Sequence, residues 1–192
     1  MRSLDALRAA LRAHDPREIA GRRRAAVAIV LHELGGEPEL LFIERAARLG
    51  DPWSGQMAFP GGRVDPGDAD VRAAAERETL EEVGLDLAGA ELVGRLGDVD
   101  AGIRLVAPLV LSAFVYRIDA RATLTPNHEV REALWVPVSR LVDPVHRIDH
   151  RWGLARFPGI LVGEPGRHVV WGLTYQLVEE LLRISGGPRQ AT

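Results

Sequence analysis

Apolar positions recur with different periods along the chain, and each period predicts an element. Leu4, Leu7 and Leu11 fall at helical spacing behind Ser3, an N-cap candidate, with Pro16 shortly after them. They predict an amphipathic helix over residues 3–13. A continuous apolar run, Ala25 to Leu31, is followed by Gly35-Gly36 and a second run, Glu39 to Ile43. Two strands joined by a short glycine turn, a hairpin, fit that pattern. Residues 46–67 are rich in Gly, Pro, Asp and Ser, broken only by Met57-Ala58-Phe59, and predict a long ordered loop. Loops of that length inside a domain are functional or disordered.

A helix is expected from Ala69 to Val83, opened by Pro66, Gly67 and Asp68 and stopped by Gly84. Steps of 100° put Ala69, Ala73, Leu80 and Val83 in one stripe and Glu78, Glu81 and Glu82 on roughly the opposite side. Further β-type runs lie at Glu91 to Val99, Arg104 to Arg117, Val130 to Val136 and His168 to Trp171. A last helix, residues 173–184, carries Leu173, Leu177, Leu181 and Ile184 on one stripe and ends at Gly186-Gly187-Pro188. The alternation of strands with intervening and terminal helices gives an α/β fold class, a mixed β-sheet covered by helices on both faces. With 192 residues and 46% apolar composition the chain fits one domain, residues 1–192, with the two terminal helices packed on it.

Composition narrows the chemistry. Cysteine is absent, so disulfides, thiolate metal sites and cysteine nucleophiles are excluded, and any metal must use oxygen or imidazole. A net charge of −3 gives no global attraction for nucleic acid. No apolar run is long enough to span a membrane and the N-terminus lacks a continuous apolar stretch of the export type, so a cytoplasmic protein with no membrane partner is expected. All 24 basic residues are arginine, which fits a compositional bias of the coding sequence better than selection for guanidinium. His146 and His150 have the spacing of a helical metal pair, but Asp143-Pro144 and the following Arg-Ile-Asp look loop-like, so no zinc site is expected there.

The acidic helix is where local stability and sequence disagree. Glu78 and Glu82 lie one turn apart and Glu81 is adjacent to both. Like charges at that spacing cost about 0.2 to 0.5 kcal/mol per exposed pair, and two carboxylates ~6 Å apart at an effective dielectric of ~20 repel by ~3 kcal/mol. They also sit toward the C-terminal end of the helix, where the macrodipole disfavours negative charge. A hard divalent cation reverses that balance, because it is held by a few carboxylates together with water and phosphate oxygens.

Upstream stand Phe59-Pro60-Gly61-Gly62, and the stretch from Gly62 through Leu85 resembles the box of the Nudix family. That box runs Gly, five spacers, Glu, seven spacers, then Arg-Glu-apolar-any-Glu-Glu-any-Gly-apolar. Here Asp68 stands for the first Glu, eight spacers follow it, and Arg77-Glu78-Thr79-Leu80-Glu81-Glu82-Val83-Gly84-Leu85 matches except for Thr79. The resemblance implies a Nudix-like α/β/α sandwich and a loop-helix-loop in which Glu78, Glu81 and Glu82, with the carbonyl of Gly61, hold Mg²⁺ or Mn²⁺. It also makes Arg77 the organiser of the cluster, with Asp68 its expected partner. Glu81 and, in Pro126-Asn127-His128-Glu129-Val130, Glu129 are the residues singled out for proton transfer; the sequence does not separate ligand from base among the three helix glutamates.

The implied activity is hydrolysis of a nucleoside diphosphate linked to another group. Leu41-Phe42-Ile43-Glu44-Arg45-Ala46, then Arg48, then Gly55 to Gly62, is similar to the signature that precedes the box in coenzyme A pyrophosphatases of this superfamily. The stretch between Ala46 and Gly55 is one residue longer than in that signature, and Arg48 is displaced from its second arginine. Val170-Trp171-Gly172-Leu173-Thr174 is also similar to that subgroup. The resemblance implies cleavage of coenzyme A or its derivatives to 4'-phosphopantetheine and 3',5'-ADP, with Arg45 and Arg48 as cationic partners of a phosphorylated nucleotide. ADP-ribose or a dinucleoside polyphosphate is the alternative substrate, and a nucleotide-sensing module without turnover the alternative of another class. Trp152, Phe157 and Pro158 either line a pocket opposite the box or close the core.

Overall fold

The computed structural model describes residues 4–20, 23–50, 53–101 and 108–186. Helix α1 (Leu4–Arg12) leads into strands β1 (Arg24–Leu34), β2 (Glu37–Arg45), β3 (Met57–Ala58) and β4 (Gly61–Arg63), then helix α2 (Val71–Val83). Strands β5 (Glu91–Arg95), β6 (Val99–Asp100), β7 (Val110–Arg117) and β8 (Val130–Pro137) complete the first sheet. Short helix α3 (Val138–Val142) leads to a second sheet of β9 (Arg147–Trp152), β10 (Ala155–Leu161) and β11 (Val169–Trp171), from which helix α4 (Gly172–Ile184) departs.

The continuous apolar run of β1 reads that way because the strand is covered on both faces. Ala25, Ile29 and Leu31 face a core shared with α1, α3, α4 and the second sheet, through Leu7, Leu141, Leu177, Leu181 and Ile160. Ala26, Ala28 and Val30 face the opposite core with Ala74, Ala75 and Val83 of α2. Small side chains on both partners let α2 approach β1 closely. Strand β7 runs parallel to β1, from Arg24↔Val110 to Leu31↔Arg117, while β2 is antiparallel to it, so the sheet is mixed as expected.

What positions the site is the way β1 and β2 part. They pair only from Leu31↔Leu40 to Leu34↔Glu37, next to the Gly35-Gly36 turn with its positive φ angles of 60° and 86°. Beyond that the edges separate and the 57–63 segment fills the wedge: β3 pairs with β2 at Ile43↔Ala58, and β4 with β1 at Val27↔Gly61. The Ala28 N–H donates to the Pro60 carbonyl at 2.9 Å between them.

Two buried ionic clusters fasten the outlying parts. Asp98, whose side chain is fully buried, accepts from the Ile19 N–H, Ser112 Oγ, Arg95 and Arg24, tying the segment after α1 to the sheet. Glu44, 1% exposed, accepts from Arg131 at 3.1 Å and Arg167 Nε at 2.8 Å, with Glu132 and His168 alongside. Burial pushes the Glu44 carboxyl up, but Arg167, Arg131 and His168 outweigh it and hold the pKa below the ordinary range. Glu44, Glu132 and His168 are close enough to share a cation. Two guanidinium groups already satisfy these carboxylates, so the set is an ion-pair cluster that docks the loop before β11 onto the β2/β8 edge.

Several sequence expectations need correction. The first helix spans Leu4–Arg12 with Leu7 and Leu11 buried; Ser3 and the Leu4 side chain lie outside the described residues. So do Arg104 to Ala107 of the expected strand, whose described part begins at Val110, and Gly187-Pro188. The long loop contains β3 and β4, and the run from Glu91 to Val99 breaks into β5 and β6. Helix α2 begins at Val71, two residues late, because the N-cap is Asp70, which accepts from the Ala73 N–H at 2.7 Å. Its buried stripe is Ala74, Ala75, Thr79, Glu82 and Val83, whereas Leu80 is half exposed. Thr79 tolerates burial because its hydroxyl donates to the Ala75 carbonyl at 2.7 Å. The supposed loop at Arg147-Ile148-Asp149 is strand β9, and α3 and β10 were not expected.

Candidate active site

Glu82, buried on α2, points its carboxylate at the glycine segment in the wedge. Its Oε2 accepts from the Gly61 N–H at 2.8 Å, and Arg45 on β2 lies 4.0 Å from Oε1. Burial, with Glu78 and Glu129 nearby, overcomes Gly61 and Arg45 and raises the Glu82 pKa to about 7. Burial also raises Glu78, against the pull of Arg77. These two acids are kept close at an electrostatic cost, which is the condition for a cation-binding site.

Both glycines are required by close approach. A Cβ on Gly61, at φ +149°, would sit 2.2 Å from the Ala26 carbonyl oxygen and 2.6 Å from Val27 Cα. One on Gly62 would sit 2.4 Å from the Glu78 carboxylate. The backbone therefore reaches the acids directly.

Arg77 organises the outer side of the cluster. It donates to both oxygens of Asp68, at 2.8 and 3.1 Å, to Glu78 at 3.0 Å, to Glu81 at 3.3 Å and to the Arg63 carbonyl at 3.1 Å. These hydrogen bonds hold the Asp68 carboxyl well below its ordinary range. Asp68 itself is fixed by an exchange with Asp65, whose N–H donates to it at 2.7 Å. The contact expected of Asp68 is thus made despite the shorter side chain and the extra spacer.

At its other end, α2 stops at Gly84 and hands its carbonyls to the following loop. The Asn127 N–H donates to the Glu82 carbonyl at 2.9 Å and the Thr125 N–H to that of Val83 at 2.8 Å. This carries Glu129 to the mouth of the site, where its Oε1 accepts from Arg48 at 3.1 Å. The Ala46 N–H donates to the Glu129 carbonyl at 2.8 Å, joining the arginine-bearing loop to the glutamate-bearing one.

A cavity of about 940 Å³ unites these parts. Glu78, Glu82, Gly61, Arg45, Arg48 and Glu129 all line it. Glu81 does not; its side chain is 54% exposed and meets Arg77 on the outer flank. Trp152 and Phe157 line the same space, as does the Trp171-Gly172-Leu173-Thr174 stretch, while Pro158 is exposed. His146 ends a short 3₁₀ turn and His150 stacks against Trp171. Asp100 and the aliphatic wall of Leu109 and Leu111 were missed. Nothing in the local sequence distinguishes them from other strand residues, since it is the β1–β7 and β6–β7 pairings that bring them to the site.

Comparison with known proteins agrees with this geometry. Residues 22–157 match the NUDIX domain family. The chain is 35% identical over 164 residues to a human protein described as mitochondrial coenzyme A diphosphatase NUDT8, an alignment covering 83% of this chain and 68% of that one. It is 32% identical over 173 residues to the uncharacterized Nudix hydrolase NudL of Citrobacter koseri, covering 85% and 83%. A MutT/nudix family protein from Enterococcus faecalis superposes with a TM-score of 0.60 at 17% identity, covering 96% of this chain and 70% of that one, a likeness of fold alone. Among the described residues no helix is long and apolar enough to cross a membrane.

Proposed function

This chain belongs to the Nudix hydrolase family and is a pyrophosphatase of that type, and from that premise we propose that it cleaves the pyrophosphate of coenzyme A or its derivatives into 4'-phosphopantetheine and 3',5'-ADP. The observation that carries the reading is the shared cavity. Residues of the Arg45-to-Gly62 stretch, which resembles the coenzyme A pyrophosphatase signature, line the same space as the α2 carboxylates Glu78 and Glu82.

The donor set suits Mg²⁺ or Mn²⁺. It is all oxygen, and two of its carboxylates carry raised pKa values that a divalent charge would reverse. Glu78, Glu82 and the Gly61 carbonyl are the groups that would hold the ion from the cavity, and Glu81, which meets Arg77 on the outer flank, would join them only on leaving that contact. When bound, such an ion lowers the pKa of an attacking water and neutralises charge on the diphosphate.

The protein's own residues supply the rest. Arg45, 4.0 Å from Glu82 at the same cavity, is set to donate to diphosphate oxygens. Glu129 takes the proton of the attacking water, and the Arg48 contact orients its carboxylate until substrate arrives. Arg77 touches no substrate in this scheme; it fixes Glu78 and Glu81 and ties them to Asp68.

Incubation of the purified protein with Mg²⁺ and a panel of coenzyme A, its thioesters, ADP-ribose and dinucleoside polyphosphates tests the assignment by product analysis. Coenzyme A or a thioester is expected to give the highest kcat/KM. A tenfold preference for ADP-ribose overturns the substrate.

A further inference from the structure

The second sheet does more than close the core. Its core contacts come from Ile160 and Val170 on one face, both fully buried. Alternation along β9 puts Ile148, His150 and Trp152 on the other face, and the register Phe157↔His150 and Gly159↔Trp171 adds Phe157 and Trp171 to it. Trp171 is the hub, with ring centroids 4.8 Å from His150, 5.3 Å from Phe157 and 5.5 Å from Trp152, at tilts of 32 to 41°. Trp152, Phe157 and Trp171 border the cavity that holds Glu78 and Glu82. Trp152 is 50% exposed, and among the described residues Trp171 supplies its one ring contact.

We infer that this aromatic wall is the subsite for the nucleobase of the substrate, with Trp152 the ring on which the base stacks. The inference rests on the nucleotide-hydrolase reading above and specifies which arm of the substrate meets which wall. A base is flat and polarisable and gains most against an aromatic face. The other arm of coenzyme A is a flexible amide chain with no flat ring. The aliphatic wall of Leu109, Leu111 and Leu173 on the same cavity suits it equally well. Base-on-aromatic stacking changes affinity by about 5- to 150-fold when the ring is truncated to alanine.

The two product halves separate the arms. Binding of 3',5'-ADP and of 4'-phosphopantetheine is measured by quenching of intrinsic tryptophan fluorescence and by calorimetry, on the wild-type protein, Trp152→Ala and Trp152→Phe. Trp152→Ala is expected to weaken 3',5'-ADP about tenfold, leave 4'-phosphopantetheine within twofold and raise KM for coenzyme A about tenfold. Trp152→Phe is expected to recover most of the loss, which a merely structural role for an exposed ring would not explain. Unchanged 3',5'-ADP affinity in Trp152→Ala, or a loss confined to 4'-phosphopantetheine, overturns the subsite while leaving coenzyme A turnover intact as a finding. Should ADP-ribose prove the better substrate, the coenzyme A assignment falls, and a loss of 3',5'-ADP binding in Trp152→Ala still upholds the stacking wall.

Discussion

Replacing Glu82 with glutamine isolates the electrostatic cost of the carboxylate cluster from everything the substrate contributes. In the metal-free protein the Glu82 pKa is raised from 4.5 to about 7, with burial the largest cause. Between those values the folded chain retains a proton that the unfolded chain has shed. Stability from this group is therefore intact below about pH 4.5 and is lost as pH rises through about 7. The gap between the two values corresponds to about 3 kcal/mol at most by pH 8. For a chain of this length, 1 kcal/mol moves Tm by about 2–4 °C. Glutamine keeps an oxygen for the Gly61 N–H and removes the charge, at the cost of an amide donor whose effect does not depend on pH. The expected signature is a slope, not an offset. In EDTA, Tm of Glu82→Gln minus Tm of wild type rises by about 5–10 °C from pH 5 to pH 8, followed by circular dichroism. Mg²⁺ at pH 8 then raises the wild-type Tm and moves the variant less. A difference that stays flat or falls with pH refutes the argument that burial destabilises the ionised form of Glu82.

Other perturbations test the neighbouring claims. Gly62→Ala brings a methyl against the movable end of Glu78, so hydrolysis is expected to fall by about 100-fold, as for a catalytic group displaced by about 1 Å, with Tm nearly unchanged. Gly61→Ala meets backbone instead, and the same melting experiment should show loss of stability along with activity. Glu129→Gln is expected to lower kcat by about 10²- to 10⁴-fold at unaltered Tm; a wild-type rate would remove Glu129 from proton transfer. Asp98→Asn leaves Arg24 and Arg95 facing a neutral side chain in a fully buried position, and urea denaturation should register a loss of about 3–5 kcal/mol.

The parts of this molecule that were legible in its sequence are those with a strong period or a fixed chemical spacing. The hairpin and α4 carry the first and α2 the second, and the box gave the family because its acids follow one another on a single helix. The onset of α2 was misread for a physical reason: Asp68 looks like a cap, but it accepts from Arg77 and Asp65, leaving the capping to Asp70. The apolar stripe was misread because Thr79 and Glu82 are buried for the sake of the site while Leu80 is left half exposed. Strand β9 was missed because Arg147, Asp149 and Arg151 mask the alternation of Ile148, His150 and Trp152. Helix α3, at five residues, is too short to show a helical period. Arg45, Arg48 and Glu129 were named for the site from the resemblance, but the contacts that join them were not readable, since they are loop-to-loop hydrogen bonds between segments far apart in the chain.

The Glu44 cluster gives the cavity a division of labour. Glu78, Glu82, Gly61 and Gly62 reach the cavity from the wedge and α2 and Glu129 from the loop before β8, while Trp152, Phe157 and Trp171 reach it from a separate three-stranded sheet, docked beside Arg45 through Arg167 and its carboxylate partners. With the base on that aromatic face, as proposed, substitutions there are expected to retune which molecules are accepted without disturbing the carboxylates on α2. Diversification of substrate range within such a scaffold has a natural place to occur, and the salt-linked seam at Glu44 marks its boundary.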